Sequence, residues 1–369
     1  MNSLDEISKL LSYDRIVEFN ATNILNDYRR WPELAKEALE RDALVVDKKE
    51  FRKIIFCGMG GSAAACDAIR DCFRALDVVV VKDYHLPSWV NKNDLVIPVS
   101  YSGNTEETLC CYMEALRKGS PLITVSSGGI LEKVAGKDNV PHNSVVKGLA
   151  PRAAFPQLFY IIANILQRLD VIGKKDFDDV KSSITQFSKY AKTIFPEMDL
   201  KDNISKQVAA FTYKSIPTIY GSGMIKSVVE RFERMVSENG KWHAMSDLIP
   251  ELCHNEIVSY ELYCPFTKVI ILRAGNEPKE ISKRFEILKD IIKSSGHQLM
   301  ELKPECEKIV DTIVSYYYFL DVATIYLAVM NGVDPSKTKS IDHLKKRLEE
   351  ELNFIKTIGI NLGDENSKV

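Results

Sequence analysis

Apolar residues along this chain gather in short runs separated by amphipathic stretches, and that alternation sets the expected architecture. Lys53–Cys57 (KIIFC), Val78–Lys82 (VVVVK), Leu95–Ser100 (LVIPVS) and Pro121–Val125 (PLITV) are mostly β-branched or aliphatic and too short for helices, so they read as buried strands. Helices are expected between them over Ser62–Leu76 and from about Glu106 to Lys118, the second closed by Gly119. Strands alternating with helices at this spacing imply parallel βαβ units and a layered α/β fold.

The pattern then recurs. Strand Pro217–Tyr220 ends at Gly221-Ser222-Gly223, and a helix follows over Ile225–Glu238. Strand Lys268–Arg273 leads to a helix over Glu280–Ser295 closed by Gly296, and Gln298–Leu302 is the last strand. VIPVSYSGNTEETLCCYMEALRKGSPLITV (96–125) and VIILRAGNEPKEISKRFEILKDIIKSSGHQLMEL (269–302) share one grammar: apolar strand, Gly-Asn turn, acidic helix start, amphipathic helix, Gly, strand. Their chemistry differs, because the second copy lacks the hydroxyls of the first. Pro156–Leu169 is a long apolar helix expected to space the two copies, and Ile309–Met330 is a long helix rich in Tyr and aliphatic residues. Gly332 stops it, Asp334-Pro335 turns the chain, and Ser340–Leu352 is a last helix. The expected segments are a peripheral helical extension (1–45), a first sub-fold (46–155), linking helices (156–200), a second sub-fold (201–306) and C-terminal helices (307–369), ending in a polar tail, GDENSKV, expected to fray.

At 369 residues, about two domains are expected. A net charge of -2 gives no electrostatic case for nucleic acid. The N-terminal MNSLDEISKLL has no basic region or long apolar run, and no stretch approaches the roughly 20 apolar residues of a membrane span. The eight cysteines form no CxxC pair, so reduced thiols in a cytoplasmic protein are expected.

The candidate chemistry concentrates in loops. Ser100, Ser102 and Thr105 crowd a strand-to-helix junction around Gly103. A helix N-terminus presents unpaired N–H groups and a positive dipole end, neutral hydroxyls add donors, and glycine allows close approach, so the loop suits a phosphomonoester. It has no lysine and is not a mononucleotide P-loop. Ordinary N-capping would explain one hydroxyl, through Thr105, but not three. The competing loop, Gly58–Ala65 (GMGGSAAA), carries a Gly58-x-Gly60-x-x-Ala63 fingerprint with Asp83 at the end of the next strand, which suits a dinucleotide; equally, Ser62 is suited to join Ser100, Ser102 and Thr105 around one phosphate. Arg152, in APRAAF, is oddly placed for a surface ion pair and suited to a developing negative charge, the plainer reading being an ion pair between domains. Glu238, before Asn239-Gly240, and His254, in PELCHNE, are the tools of proton transfer, as base and ring-opening acid, although each type alone is more often structural. His243 and His254 have no third partner at metal-ligand spacing.

Together GMGGS (58–62), SYSGNTEET (100–108), PRAAF (151–155), SENGK (237–241), PELCHNEI (250–257), Asp334-Pro335 and IDHLK (341–345) resemble the mainly archaeal bifunctional phosphoglucose/phosphomannose isomerases. SYSGNTEET alone is specific only to sugar-isomerase (SIS) domains; PRAAF with ENxK and HNE is sharper. The resemblance implies two SIS-type subdomains, each a parallel sheet flanked by helices in a flavodoxin-like three-layer α/β/α arrangement. It implies that Gly60, Gly61, Ser62, Ser100, Ser102 and Thr105 hold a hexose 6-phosphate, that Glu238 shuttles the proton between C1 and C2, and that Arg152 stabilises the enediolate. His254, from the neighbouring subunit of a homodimer, and Lys345 would assist ring opening, and Thr338 would make room for both C2 epimers. The implied reaction, at the glucose and mannose 6-phosphate branch of glycolysis and gluconeogenesis, needs no cofactor or metal and involves neither nucleic acid nor membrane. Ala63-Ala64-Ala65-Cys66 and Cys253 depart from the family pattern and leave the glucose-to-mannose preference open. A non-catalytic SIS sugar-phosphate binder, a glucosamine-6-phosphate synthase and a dinucleotide oxidoreductase are the alternatives. The second would need an N-terminal glutaminase, whereas this chain begins Met-Asn-Ser.

Overall fold

The structure, a computed structural model, describes residues 4–47 and 50–352. Four helices come first: α1 (Leu4–Leu10), α2 (Tyr13–Glu18), α3 (Ala21–Arg29) and α4 (Trp31–Glu40). The first repeat follows as β1 (Ile54–Cys57), α5 (Gly60–Cys72), β2 (Val78–Val81), β3 (Leu95–Pro98), α6 (Glu106–Arg117), β4 (Thr124–Ser126), α7 (Gly129–Lys137) and β5 (His142–Ser144). Helices α8 (Phe155–Arg168), α9 (Lys174–Tyr190) and α10 (Ile204–Thr212) lead to the second: β6 (Ile216–Ser222), α11 (Lys226–Glu238), β7 (Met245–Ile249), β8 (Thr267–Leu272), α12 (Lys279–Ser294) and β9 (Gln298–Leu302). Helices α13 (Ile309–Met330) and α14 (Lys339–Leu352) close the described chain. The chain forms two compact units, one of Glu33–Lys181 with Thr338–Val369, the other of Met1–Pro32 with Ser182–Lys337.

The unit carrying the first repeat holds a parallel sheet in the order β2-β1-β3, and bridges Val96–Leu122 and Val99–Val125 continue it to β4 and β5. The resulting order 2-1-3-4-5 is that of flavodoxin-like folds, with the order reversing between β1 and β3. At such a reversal the loops leaving the two strands diverge and open a crevice at their carboxyl ends, where ligands bind in open α/β sheets. Those loops are Gly58–Ser62 and Ser100–Thr105. Strands β1 and β3 are wholly buried, as continuous apolar runs in a parallel sheet must be. Helix α8 is buried along nearly all its length, and its polar Gln157 and Asn164 donate to the carbonyls of Leu34, Leu39 and Arg41 around α4.

The unit carrying the second repeat has the order β7-β6-β8-β9, the same 2-1-3-4 arrangement. Its core helix is α13, whose buried tyrosines each give their hydroxyl a backbone carbonyl: Tyr316 to Leu302, Tyr317 to Ser227, Tyr318 to Tyr28 and Tyr326 to Ile194. These bonds remove the desolvation cost of the hydroxyls and tether α13 to four surrounding segments. Asp321, mid-helix, is forked by Arg231 (3.0 and 2.5 Å) and accepts from the Tyr28 hydroxyl (2.9 Å), all three being buried.

Several expectations need correction. The N-terminal helices are not peripheral: Trp31 is fully buried, stacked on Tyr28 and Tyr318, and Leu34, Ala35 and Ala38 are equally buried. The units do not divide at the expected boundaries; their divisions fall inside α4, inside α9 and just before α14. Helix α8 is a core helix of the first-repeat unit rather than a spacer. One helix among the described residues, α13, is long and apolar enough to cross a membrane by length and composition, and its apolar window is buried inside the protein, with Asp321 paired to Arg231. Strands β5 and β7 and helix α7 escaped the apolar pattern, since HNS and MSDLI are mixed and α7 begins at Gly129 directly after Gly128. Gly119, Gly296 and Gly332 close their helices with left-handed φ angles, as expected. The tail Gly363–Val369 lies outside the described residues.

Candidate active site

The two loops at the strand-order reversal are built to touch. A Cβ on Gly58 would lie 2.7 Å from the Val99 carbonyl oxygen, so only glycine lets β1 and β3 run out side by side here. Gly60 turns with φ 51° into α5, and a Cβ on Gly61 would lie 2.8 Å from the Pro151 carbonyl oxygen and 3.2 Å from Arg152 Cα. Gly61 therefore seats the PRAAF segment, a 3-10 turn over Pro151–Ala154, against the start of α5. Arg152 is 4% exposed, a rare burial for an arginine.

Ser62 is buried and its Oγ accepts the Tyr101 N–H at 2.9 Å, which joins the two loops. Ser100 Oγ lies 2.8 Å from Thr105 Oγ1 and accepts the Gly103 N–H at 3.1 Å. Thr105 is the N-cap residue of α6, yet its hydroxyl makes no capping bond. It is spent on Ser100 instead, so first-turn N–H groups of α6 are left to face outward without a side-chain cap. Ser102 is exposed and its Oγ accepts from Asn104 N at 3.2 Å, within its own loop. Ser62, Ser100, Thr105 and the Arg152 backbone are thus brought together, and Ser102 lies at the rim. Glu106 is pushed above its ordinary pKa by burial, by Glu107 and by Glu349 of α14, against a hydrogen bond from Tyr84. Asp83, the dinucleotide candidate, spends its carboxylate on the next N–H, that of Tyr84, at 2.6 Å.

Thr338 and Lys345 belong to the same unit. Thr338 precedes α14, its hydroxyl 3.5 Å from Asp342, and Lys345 lies on that helix fully in solvent. Glu238 and His254 belong to the second-repeat unit. Glu238 ends α11, half-buried, ahead of a tightly held turn: Asn239 donates to Thr324 (2.9 Å), Asn331 donates to the Gly240 carbonyl (2.9 Å), and Lys241 donates to the carbonyls of Glu238 (2.7 Å) and Pro335 (3.2 Å). His254 ends a 3-10 turn beyond β7; it is exposed and its side chain hydrogen-bonds to no described residue. Glu256, two residues on, is anchored by the buried Tyr220 hydroxyl at 3.0 Å.

Sequence reasoning missed the loop after β4, Ser126–Ile130. Ser127 donates to the Tyr101 carbonyl through N (2.9 Å) and Oγ (2.7 Å), Ile130 N donates to Asn104 Oδ1 (3.0 Å), and Leu131 N donates to the Gly103 carbonyl (2.9 Å). Its signal was present in VSSGGI, which repeats the strand–hydroxyl–glycine–helix grammar of the Ser100–Thr105 loop.

This geometry, two strand-order reversals of one kind with hydroxyl loops at only one of them, defines an SIS-type α/β protein. A profile of the bacterial phospho-glucose isomerase C-terminal SIS domain matches residues 201–348. The C-terminal domain of glucosamine-fructose-6-phosphate aminotransferase from Francisella tularensis superposes with a TM-score of 0.66 at 14% identity, over 85% of this chain and 98% of that one. A bifunctional phosphoglucose/phosphomannose isomerase of Caldicellulosiruptor bescii is 32% identical over 83% of this chain and 92% of its own, and one of Thermoplasma acidophilum is 30% identical over 81% and 90%. The chain belongs to the bifunctional phosphoglucose/phosphomannose isomerase family. That membership removes the oxidoreductase, synthase and non-catalytic alternatives.

Proposed function

We propose that the protein interconverts glucose 6-phosphate and mannose 6-phosphate with fructose 6-phosphate through a cis-enediol(ate). The observation that carries this reading is the match along nine-tenths of relatives that bear both activities in their name. The loop geometry supports the phosphate end: Ser62, Ser100, Ser102 and Thr105, with Gly60 and Gly61, hold the phosphate by neutral donors and the uncapped start of α6. Anchoring that remote group orients the sugar, an effect worth several kcal/mol in favourable cases. Glu238 moves the proton between C1 and C2, a step in which a placed base contributes about 10²–10⁴-fold. Arg152 meets the charge of the enediolate, Lys345 and His254 handle the ring proton, and Thr338 accommodates both epimers at C2. His254 serves a neighbouring subunit of a homodimer; its exposure and the exposed apolar run Val258, Leu262, Tyr263 and Phe266 beside it support that assignment. We place the enzyme in the cytoplasm.

The test is an isomerase assay with EDTA present, supplying fructose 6-phosphate and following glucose 6-phosphate and mannose 6-phosphate separately. Formation of both is expected. Formation of neither, with no change in melting temperature on adding fructose 6-phosphate, would overturn the assignment.

A further inference from the structure

The phosphate loop does not hold its own shape. Tyr101, Gly103 and Asn104 each take a hydrogen bond from the Ser126–Leu131 segment, and the backbones meet with no room for side chains. A Cβ on Gly103 would lie 1.7 Å from the Gly128 carbonyl oxygen, and one on Gly129 would lie 2.4 Å from the Ser102 carbonyl oxygen. The β4–α7 loop is therefore the mould against which the phosphate loop is cast.

What fixes the mould is a chain of side chains from β5. Ser126, buried, donates its hydroxyl to the Gly128 carbonyl (2.7 Å) and accepts the Gly128 N–H (3.1 Å). His142, paired in register with Thr124, lies with Nδ1 2.8 Å from Thr124 Oγ1 and Nε2 3.4 Å from Ser126 Oγ. In one tautomer Nδ1–H donates to Thr124, whose hydroxyl then turns to the Pro141 carbonyl at 3.3 Å. The other tautomer links these side chains and gives each polar hydrogen an acceptor: Thr124 donates to Nδ1, Nε2–H donates to Ser126, and Ser126 donates to Gly128. The line runs from a strand remote from the crevice to the carbonyl that presses on Gly103. Glu132, 3.9 Å from Nε2, is the acidic group facing the ring from α7.

We propose that His142 and Ser126 are positioning residues for substrate phosphate, acting through Gly128 on the Ser100–Thr105 loop; this rests on the reading of that loop as the phosphate site. They touch no substrate, so they set affinity for the phosphate group rather than the rate of proton transfer.

The test uses the full-length enzyme and compares His142→Ala, His142→Gln and Ser126→Ala with Ser100→Ala. It measures kcat and KM for fructose 6-phosphate, the inhibition constant of inorganic phosphate, and Tm. For His142→Ala and Ser126→Ala, KM and the phosphate inhibition constant are expected to rise together by about 10-fold, a shift of one decade in affinity, with kcat within about twofold. His142→Gln, which restores a donor toward Ser126, is expected to recover most of the loss. If Ser100→Ala weakens phosphate but the other variants leave it unchanged, or only lower Tm, the positioning role is overturned while the phosphate site stands. If Ser100→Ala itself leaves phosphate affinity unchanged, the phosphate reading fails.

Discussion

Replacing Gly61 with alanine separates two roles that a glycine at a helix start can have. Its backbone is not left-handed, so alanine fits the local conformation, and in the first turn of α5 it adds helix propensity worth up to about 1 kcal/mol. The obstacle is a neighbour: the new Cβ would stand 2.8 Å from the Pro151 carbonyl oxygen, and ordinary contact begins near 3.4 Å, so the Pro151–Arg152 backbone must retreat by about 0.6 Å. A misplacement of about 1 Å at a positioning group costs roughly 10²-fold. A shift of about 0.6 Å is then expected to cost about 10-fold in kcat, or about 1.4 kcal/mol of barrier. The assay is steady-state isomerisation of fructose 6-phosphate beside a thermal melt. Expected is a fall in kcat with Tm nearly unchanged. Wild-type kcat at unchanged Tm would show that Arg152 does not depend on this contact or does not act on the reacting atoms, and a collapse in Tm would show that the clash is relieved by unfolding α5 rather than by moving Arg152.

Three further outcomes follow from the geometry. Asp321→Asn leaves Arg231 a buried charge without its counter-ion and is expected to cost about 3–5 kcal/mol in urea unfolding; a loss below about 1 kcal/mol would mean that the guanidinium is otherwise neutralised. Glu238→Gln and His254→Ala are each expected to abolish turnover while fructose 6-phosphate still raises Tm, and mixing the two inactive variants should restore activity if the protein is a dimer with His254 acting across its subunits, because one site of each mixed pair is then intact; with both residues acting in one subunit, mixing restores nothing. Burial pushes the His142 imidazole below its ordinary value of 6.5, with Glu132 opposing. The unfolded chain therefore binds this proton more readily, so the stabilising contribution is complete above pH 6.5 and is lost as pH falls below it. Tm of the wild type should drop more steeply than that of His142→Gln between pH 6.5 and 5, and parallel curves would remove His142 from the titration.

The strands of the reversal were legible because each is a continuous apolar run, and both repeats announced themselves by the same grammar, whereas the order of the strands came only with the fold. The short strands His142–Ser144 and Met245–Ile249 were not legible, since mixed polarity at a sheet edge leaves no period to read. The hydroxyls of the Ser100–Thr105 loop could be picked out by residue type, but not what holds them. Thr105 looked like a cap and is instead a partner of Ser100, a relation fixed only once the loop folds against Ser126–Leu131.

The loss of hydroxyls from the second copy has a physical counterpart in the structure. In the loop after β8, Glu277 stands where the first repeat has Thr105, and its carboxylate accepts the Ala274 N–H at 2.6 Å while Arg273 binds it at 3.2 and 3.3 Å. Arg273 is in turn held by Glu286 and Glu301. The second copy thus supplies its own anion, covalently attached and charge-paired, at the strand end where the first copy presents neutral donors. An external phosphate approaching that loop would have to displace a carboxylate whose own charges then lose their partner, which is unfavourable by the same reasoning that penalises breaking a buried ion pair. The first loop contains neither a carboxylate nor a fixed cation among Ser100–Thr105, so no charged group of its own competes with an anion there. One repeated sub-fold thus carries neutral hydroxyls at one strand end and a charge-paired carboxylate at the other, with threonine or glutamate after the Gly-Asn pair marking the difference.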